Sequence, residues 1–252
     1  MNLSFFVSSA INLDSSTENT KFLYANKRTA FTSEERFRQT QFTINSIKLL
    51  FPEAKIYVLD ISENGLEYKN RLGYVSNLVF LPLEEINKAI AYTCRNHQSK
   101  GYCEALSTQA LLNNCFDDIK KSDYFIKISG RYFITEFDKS VLTDENKDKY
   151  LFTFLRNFDW NPKWGYPDHL NKNGKLGWAF TCLYAIGNSI LEEFNHNFQQ
   201  VPQYFIDNHH VANIMDYECV VYDKILRDKT NIIHPNWHVA GWSGAEGNFG
   251  VM

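Results

Sequence analysis

The sequence predicts an α/β fold: one continuous domain around a mostly parallel central sheet with helices on its flanks. Three observations predict it. Short apolar runs alternate with amphipathic stretches through the first 130 residues, which is the rhythm of a sheet built by crossover connections. Runs such as AKIYVLD are continuous rather than alternating, as in buried strands. Polar segments follow three of the runs, at Ser8 to Asn12, Asp60 to Ser62 and Ser129 to Arg131, and sheets of this kind bind ligands beyond the carboxyl ends of their strands.

The elements follow in order. LSFFVSSA (3–10) is the first strand, and a polar loop runs from Asn12 to Thr32. Ser33 is placed to cap a helix reaching Leu50, with Phe37, Thr40, Ile44 and Ile47 along one face and Phe51-Pro52 as its stop. AKIYVLD (54–60) and NLVFLPL (77–83) are strands on either side of a polar helical stretch. A long helix is expected from Glu104 to Ile119, and YFIKIS is the fourth strand. Beyond it the pattern loosens. KYLFTFLRN (149–157) and WAFTCLYAIG (178–187) are strand-like and enclose a loop dense in Trp, Pro, Gly and Asn. Helices are expected at 189–199 and 212–227. The tail HPNWHVAGWSGAEGNFGVM is rich in glycine and tryptophan, which suggests a flexible closing segment.

Bulk properties narrow the function. With 252 residues the chain can bury a substantial core. Its net charge of −3, with no long basic run, argues against a duplex nucleic-acid partner. Five cysteines, none in a CxxC pair, suit reduced core thiols and a cytoplasmic setting better than zinc or disulfides. The opening MNLSFFVSS lacks a cationic leader, and no run approaches a membrane span. The expectation is at most peripheral membrane contact. Aromatic residues reach 15%, enough for a site that stacks on rings as well as a packed core.

Candidate chemistry sits in four places. Lys127, Ser129 and Arg131 share one side of a strand, so a hydroxyl and two cations at a strand end suit an anion, phosphate above all. An arginine pairing a surface carboxylate is the plainer alternative. Lys100-Gly101 lies just before a helix, where amides favour anions; a simple glycine turn is the plainer reading. Asp216 and Glu218 begin an amphipathic helix, where a carboxylate either acts as a general base or favours the helix N-terminus electrostatically. Of the late histidines, His238 in WHVAGW is preferred over the adjacent His209-His210, whose side chains point apart. GxSxG and GxGxxG are absent, against a serine hydrolase and a dinucleotide dehydrogenase.

Together, FFVSSAIN, ERFRQTQFTINSIKLLFPEAKIYVLD, SKGYCEA and above all DYFIKISGRYF resemble nucleotide-sugar glycosyltransferases of the GT-A type. The likeness is to small bacterial and viral enzymes of surface-polysaccharide synthesis, lipopolysaccharide or capsule, and runs from about Leu3 to Trp242. It implies a Rossmann-like sheet, with 1–135 as the nucleotide-sugar half and 136–252 as the acceptor half. It also implies transfer to a hydroxyl of a glycan or glycolipid acceptor, with inversion. Where that family carries a metal-binding DxD motif, this chain has Ser129-Gly130-Arg131. The implied cofactor is therefore none, or a divalent cation (Mn or Mg) held outside a DxD motif, with His238 as a candidate ligand. The resemblance places Ser8, Asn12, Arg36, Asp60, Lys100, Gly101, Lys127, Ser129, Gly130 and Arg131 around the donor. It makes Glu218 the base, with Asp216 beside it, and Trp160, Trp164 and Trp242 an acceptor platform. Two other readings compete. One is a non-catalytic nucleotide- or carbohydrate-binding domain of the same fold. The other is a sugar nucleotidyltransferase, against which SSAINLD counts because it lacks both glycine and cation after the first strand.

Overall fold

The computed structural model describes residues 1–13, 29–211, 215–242 and 248–252. The first half follows the predicted alternation: β1 (Leu3–Ser9), α1 (Ser33–Leu50), β2 (Lys55–Asp60), α2 (Gly65–Leu72), β3 (Leu78–Pro82), the short α3 (Leu83–Ile86), α4 (Lys88–Asn96), α5 (Lys100–Ile119) and β4 (Tyr124–Ser129). The rest comprises β5 (Tyr132–Phe137), β6 (Tyr150–Phe152), β7 (Leu155–Asp159), β8 (Asn171–Lys172), β9 (Lys175–Ala179), β10 (Leu183–Gly187), α6 (Leu191–Phe198), α7 (Gln200–Asp207), α8 (Tyr217–Val221), β11 (Ile232–Ile233), β12 (Trp237–Trp242) and β13 (Phe249–Val251).

Seven strands form the central sheet in the order β11-β6-β10-β4-β1-β2-β3. All neighbours are parallel except β10, which runs against both β4 and β6. The chain is thus a mixed α/β domain whose mostly parallel sheet is covered by helices on both faces. Phe5, Val7 and Ile126 pack with Phe37, Ile44 and Ile47 of α1 on one face. Phe6 and Phe125 pack with Leu111, Leu112 and Ile119 of α5 on the other. Because a strand presents alternate side chains to opposite faces, continuous apolar runs are what such two-sided burial requires. The second half contributes β6, β10 and β11 to this sheet, so both halves share one core.

Several boundaries differ from expectation. Thr32, not Ser33, caps α1: its hydroxyl accepts from the Glu35 N–H while the Glu35 carboxylate accepts from the Thr32 N–H. Such a reciprocal capping box contributes about 1 kcal/mol. The long α5 begins at Lys100, because the Ser99 hydroxyl caps the Tyr102 N–H; Glu104 therefore sits in its second turn. The runs 149–157 and 178–187 are not single strands. Each breaks and changes sheets, β6 and β10 joining the central sheet while β7 and β9 join the small β7-β9-β8 sheet. The helix expected at 189–199 is α6, and α7 follows it directly. Within 212–227 the chain forms α8 and a π-helical turn at Tyr222–Leu226, residues 212–214 lying outside the described part. Most of the loop from Asn12 to Thr32 also lies outside it.

The described parts of the tail are strands rather than a loose closing segment. β12 pairs with β5 and β13 in a three-stranded sheet, and residues 243–247 lie outside the described part. The buried Trp237 stacks on Phe137 at 4.2 Å, and its indole N–H donates to the Asp138 carbonyl. Gly241 lets the strands close up, since a Cβ there would lie 2.3 Å from the Arg131 carbonyl. No helix among the described residues is long and apolar enough to cross a membrane.

Candidate active site

β1, β2 and β4 end together: Ser8 is in register with Ser129, and Ser9 with Asp60. Beyond these ends lies a cavity of about 480 Å³. It gathers seven of the predicted residues, Ser8, Arg36, Lys100, Ser129, Arg131, Asp216 and Glu218, together with Glu104, Cys103, Ser107 and Tyr132. Arg36 enters from α1 on one face of the sheet, whereas Lys100 and Glu104 enter from α5 on the other.

The turn Ser129-Gly130-Arg131 is the floor. Gly130 donates its N–H to the Ser8 carbonyl at 2.8 Å, and a Cβ at Gly130 would stand 2.8 Å from that same oxygen. Glycine is needed so that the turn can lie against β1. Arg131 donates to the Trp242 carbonyl at 3.1 Å, which ties the cavity to the tail sheet while a guanidinium keeps further donors. Arg36 is nearly buried and donates through Nε to the Ala10 carbonyl, bracing the loop that leaves β1.

Lys127, predicted to face a donor, is instead sealed beneath the floor at 0% exposure. Its ammonium binds the Glu104 carboxylate, the Ser129 hydroxyl at 3.0 Å and the Thr181 carbonyl at 2.7 Å. It supports the cavity without lining it. Asp60 is likewise fully buried, with its carboxylate accepting from the N–H groups of Ile11 and Ser62 at 3.0 and 2.9 Å. It fastens the ends of β1 and β2 to each other and is not among the residues that line the cavity. Asn12 joins the same brace through its N–H to the Ser62 hydroxyl. Gly101 does not approach the cavity; it lets α5 close against Phe205 and Tyr217.

The acidic wall comes from α8. Glu218 accepts from the Thr181 hydroxyl at 3.0 Å. Burial raises its carboxyl pKa to about 7, and the nearby Glu104 and Asp216 carboxylates push the same way, against the opposing bonds from its own backbone and Thr181. A carboxylate poised near neutrality is what a general base requires. Asp216 is exposed at the rim, yet the protein around it raises its pKa, partly offset by the bond it accepts from the Tyr166 hydroxyl at 3.1 Å. Tyr166 belongs to the Trp-rich loop, where Trp164 is 39% exposed and tilts against it. Trp160 packs on the α5-side core, and Trp242 packs on Phe133 and Phe249. None of the three tryptophans lines the cavity.

His238 lies on β12 opposite Glu136, several residues from the Arg131 end of that strand, and is not a cavity residue. Among the described residues no three His, Cys, Asp or Glu side chains converge to hold a metal ion. None of the five cysteines forms a disulfide.

Glu104 and Thr181 were not read from the sequence as site residues. For Glu104 a signal was present: Lys100, Cys103, Glu104 and Ser107 recur at i, i+3, i+4 and i+7, which sets them along one face of α5.

No protein-family model matches the chain, and no characterised protein matches it in sequence. Among solved structures, it is similar to the crystal structure of the glycosyltransferase GlyE of Streptococcus pneumoniae TIGR4, at 10% identity and a TM-score of 0.46. That likeness covers 91% of this chain and 44% of GlyE, so the chain spans less than half of that protein, and a likeness of this degree carries no argument about the site.

Proposed function

We propose that the chain is a glycosyltransferase that moves a sugar from a nucleotide-sugar donor to a hydroxyl of a glycan or glycolipid acceptor. One observation carries the reading. A single cavity at the strand ends combines phosphate-binding groups, Arg131, Lys100, Ser129 and Ser8, with a carboxylate whose pKa is about 7. Acid near neutrality and cations beside it are the two demands of this reaction. The acceptor hydroxyl transfers its proton to Glu218 while its oxygen attacks the anomeric carbon from the face opposite the leaving group. The bond from that carbon to the diphosphate oxygen breaks, the electron pair leaves with the diphosphate, and the configuration inverts. Arg131 and Lys100 stabilise the charge that develops on the leaving group.

In this reading residues 1–135 supply most of the donor side, and 136–252 supply Glu218, Asp216 and the aromatic loop on the acceptor side. The leaving group depends weakly or not at all on a divalent cation, since cations of the protein stand at the strand end. The protein works in the cytoplasm on a lipopolysaccharide or capsule precursor, with at most peripheral contact to a membrane.

Thermal-shift titration with UDP, GDP and CMP and their sugars, each with and without Mn²⁺, tests the proposal. A rise in Tm with one nucleotide class is expected, little altered by the metal. Silence toward all of them overturns it.

A further inference from the structure

The buried pair of Lys127 and Glu104 has no role in the transfer just described, and its cost demands one. Among the ion pairs of the described residues, Lys127 is the cation with no exposure at all, and only Arg95, at 5%, comes near it. A sealed ammonium is weak as a stabilising device but strong as a fixture. Its three donors are matched by three acceptors, so it has nothing left for a ligand. Glu104 differs. One carboxylate oxygen holds Lys127, while the other takes no hydrogen bond from any described residue, and the side chain is 29% exposed and lines the cavity.

We propose that the cavity selects a neutral, hydroxyl-rich sugar and rejects one bearing a carboxylate, with Glu104, pinned by Lys127, as the selecting residue. This rests on the nucleotide-sugar reading. As the anionic half of an ion pair, Glu104 offers only acceptors, and a sugar hydroxyl is the donor that fits its open oxygen. Asp216 and Glu218 line the same space. A sugar carboxylate would bring acceptor against acceptor and like charge against like charge, a repulsive element that discriminates more sharply than any attraction. Arg131 and Lys100 are committed to the diphosphate, and the third cation, Arg36, is bound to the Ala10 carbonyl, so they do not relieve it.

Matched donors isolate the effect: UDP, UDP-glucose and UDP-glucuronate, and GDP, GDP-mannose and GDP-mannuronate, with CMP and CMP-sialic acid as a third set. Affinities are measured by calorimetry on the wild type and on Glu104→Gln. The uronate is expected to bind roughly tenfold or more weakly than its neutral twin. Glu104→Gln should narrow that gap while leaving the affinity for the bare nucleotide within about twofold. Equal binding of neutral and acidic sugars, or preference for a uronate or for CMP-sialic acid, overturns the inference while the nucleotide-sugar reading stands. An unchanged gap in Glu104→Gln removes Glu104 as the selecting residue. Silence of the wild type toward all sets, bare nucleotides included, defeats the underlying reading itself. Should Glu104→Gln lose its near-UV signature, the double variant Glu104→Gln/Lys127→Met, which leaves no unpaired buried charge, gives the same readout.

Discussion

The two walls of the cavity hold their charges by opposite means. On the cationic side, Arg131 and Arg36 are fixed by backbone carbonyls, those of Trp242 and Ala10. A neutral anchor at Arg131 leaves its positive charge for an anion. On the acidic side, Glu104, Asp216 and Glu218 face one another in a partly desolvated space, and the pKa of Glu218 rises in consequence. One wall is built to keep its charge and the other to hold or release a proton. That contrast is what a transfer reaction with an anionic leaving group and a hydroxyl nucleophile needs.

The contrast breaks most completely at Glu218. Glu218→Gln is expected to lower transfer by about 10²- to 10⁴-fold, the range for loss of a general base, with nucleotide affinity preserved. A single-turnover assay beside a binding titration measures both, and wild-type transfer by the variant would remove Glu218 as the base. In the wild type, kcat/KM should fall as pH drops through about 7, where Glu218 takes up its proton.

Arg131→Ala probes the other wall. Losing a charge-assisted bond should weaken nucleoside diphosphate binding by about 10- to 100-fold, with the acidic limb of the pH profile unmoved. Unchanged affinity would return Arg131 to the role of a clip on the tail sheet. The two variants should therefore fail in different columns of the same experiment.

Stability offers a third, smaller test. The folded-state pKa of Glu218 is raised above its ordinary value of 4.5 to about 7, so the folded form prefers the neutral acid. Its contribution to stability is full below pH 4.5 and is lost as pH rises through 7. Glu218→Gln should remove that loss and gain on the order of 2–3 kcal/mol at pH 8 relative to wild type. Denaturant melts at pH 4.5 and pH 8 compare the two. Equal pH dependence in both proteins would mean that the carboxyl is better solvated than its surroundings imply.

How much of this was legible follows from range. The turn at Ser129-Gly130-Arg131 is written locally, as an apolar strand meeting glycine and a cation, and the β4 end lies where that predicts. The break at Phe180 to Cys182 is not. WAFTCLYAIG is apolar throughout, and nothing in its periodicity marks Thr181 as the residue whose carbonyl holds Lys127 and whose hydroxyl holds Glu218. Lys127 shows the same limit. Strand alternation correctly puts it on the side of Ser129, but its partner Glu104 lies 23 positions away on a packed helix. Only the tertiary fold turns a predicted ligand into a buried support. The tail misleads for a related reason: its glycines signal looseness locally, yet Gly241 is there because two strands approach closely.

Gly101 gives the smallest expected effect and bears on how the acidic wall is held. A glycine in a helix costs about 1 kcal/mol relative to alanine, so Gly101→Ala would stabilise α5 if space allowed. The added Cβ would stand 3.1 Å from the Phe205 ring and from the Tyr217 backbone nitrogen, and 3.2 Å from the Tyr217 Cβ. These contacts are tight rather than impossible, so α8 must yield by a few tenths of an ångström. The gain and the strain should nearly cancel, leaving stability within about 1 kcal/mol of wild type. Tyr217 immediately precedes Glu218, however, and the displacement reaches the base directly. Transfer is therefore expected to fall severalfold while Tm barely moves. A fall in both together would make Gly101 a packing residue alone, and no change in either would show that the acidic wall tolerates displacement.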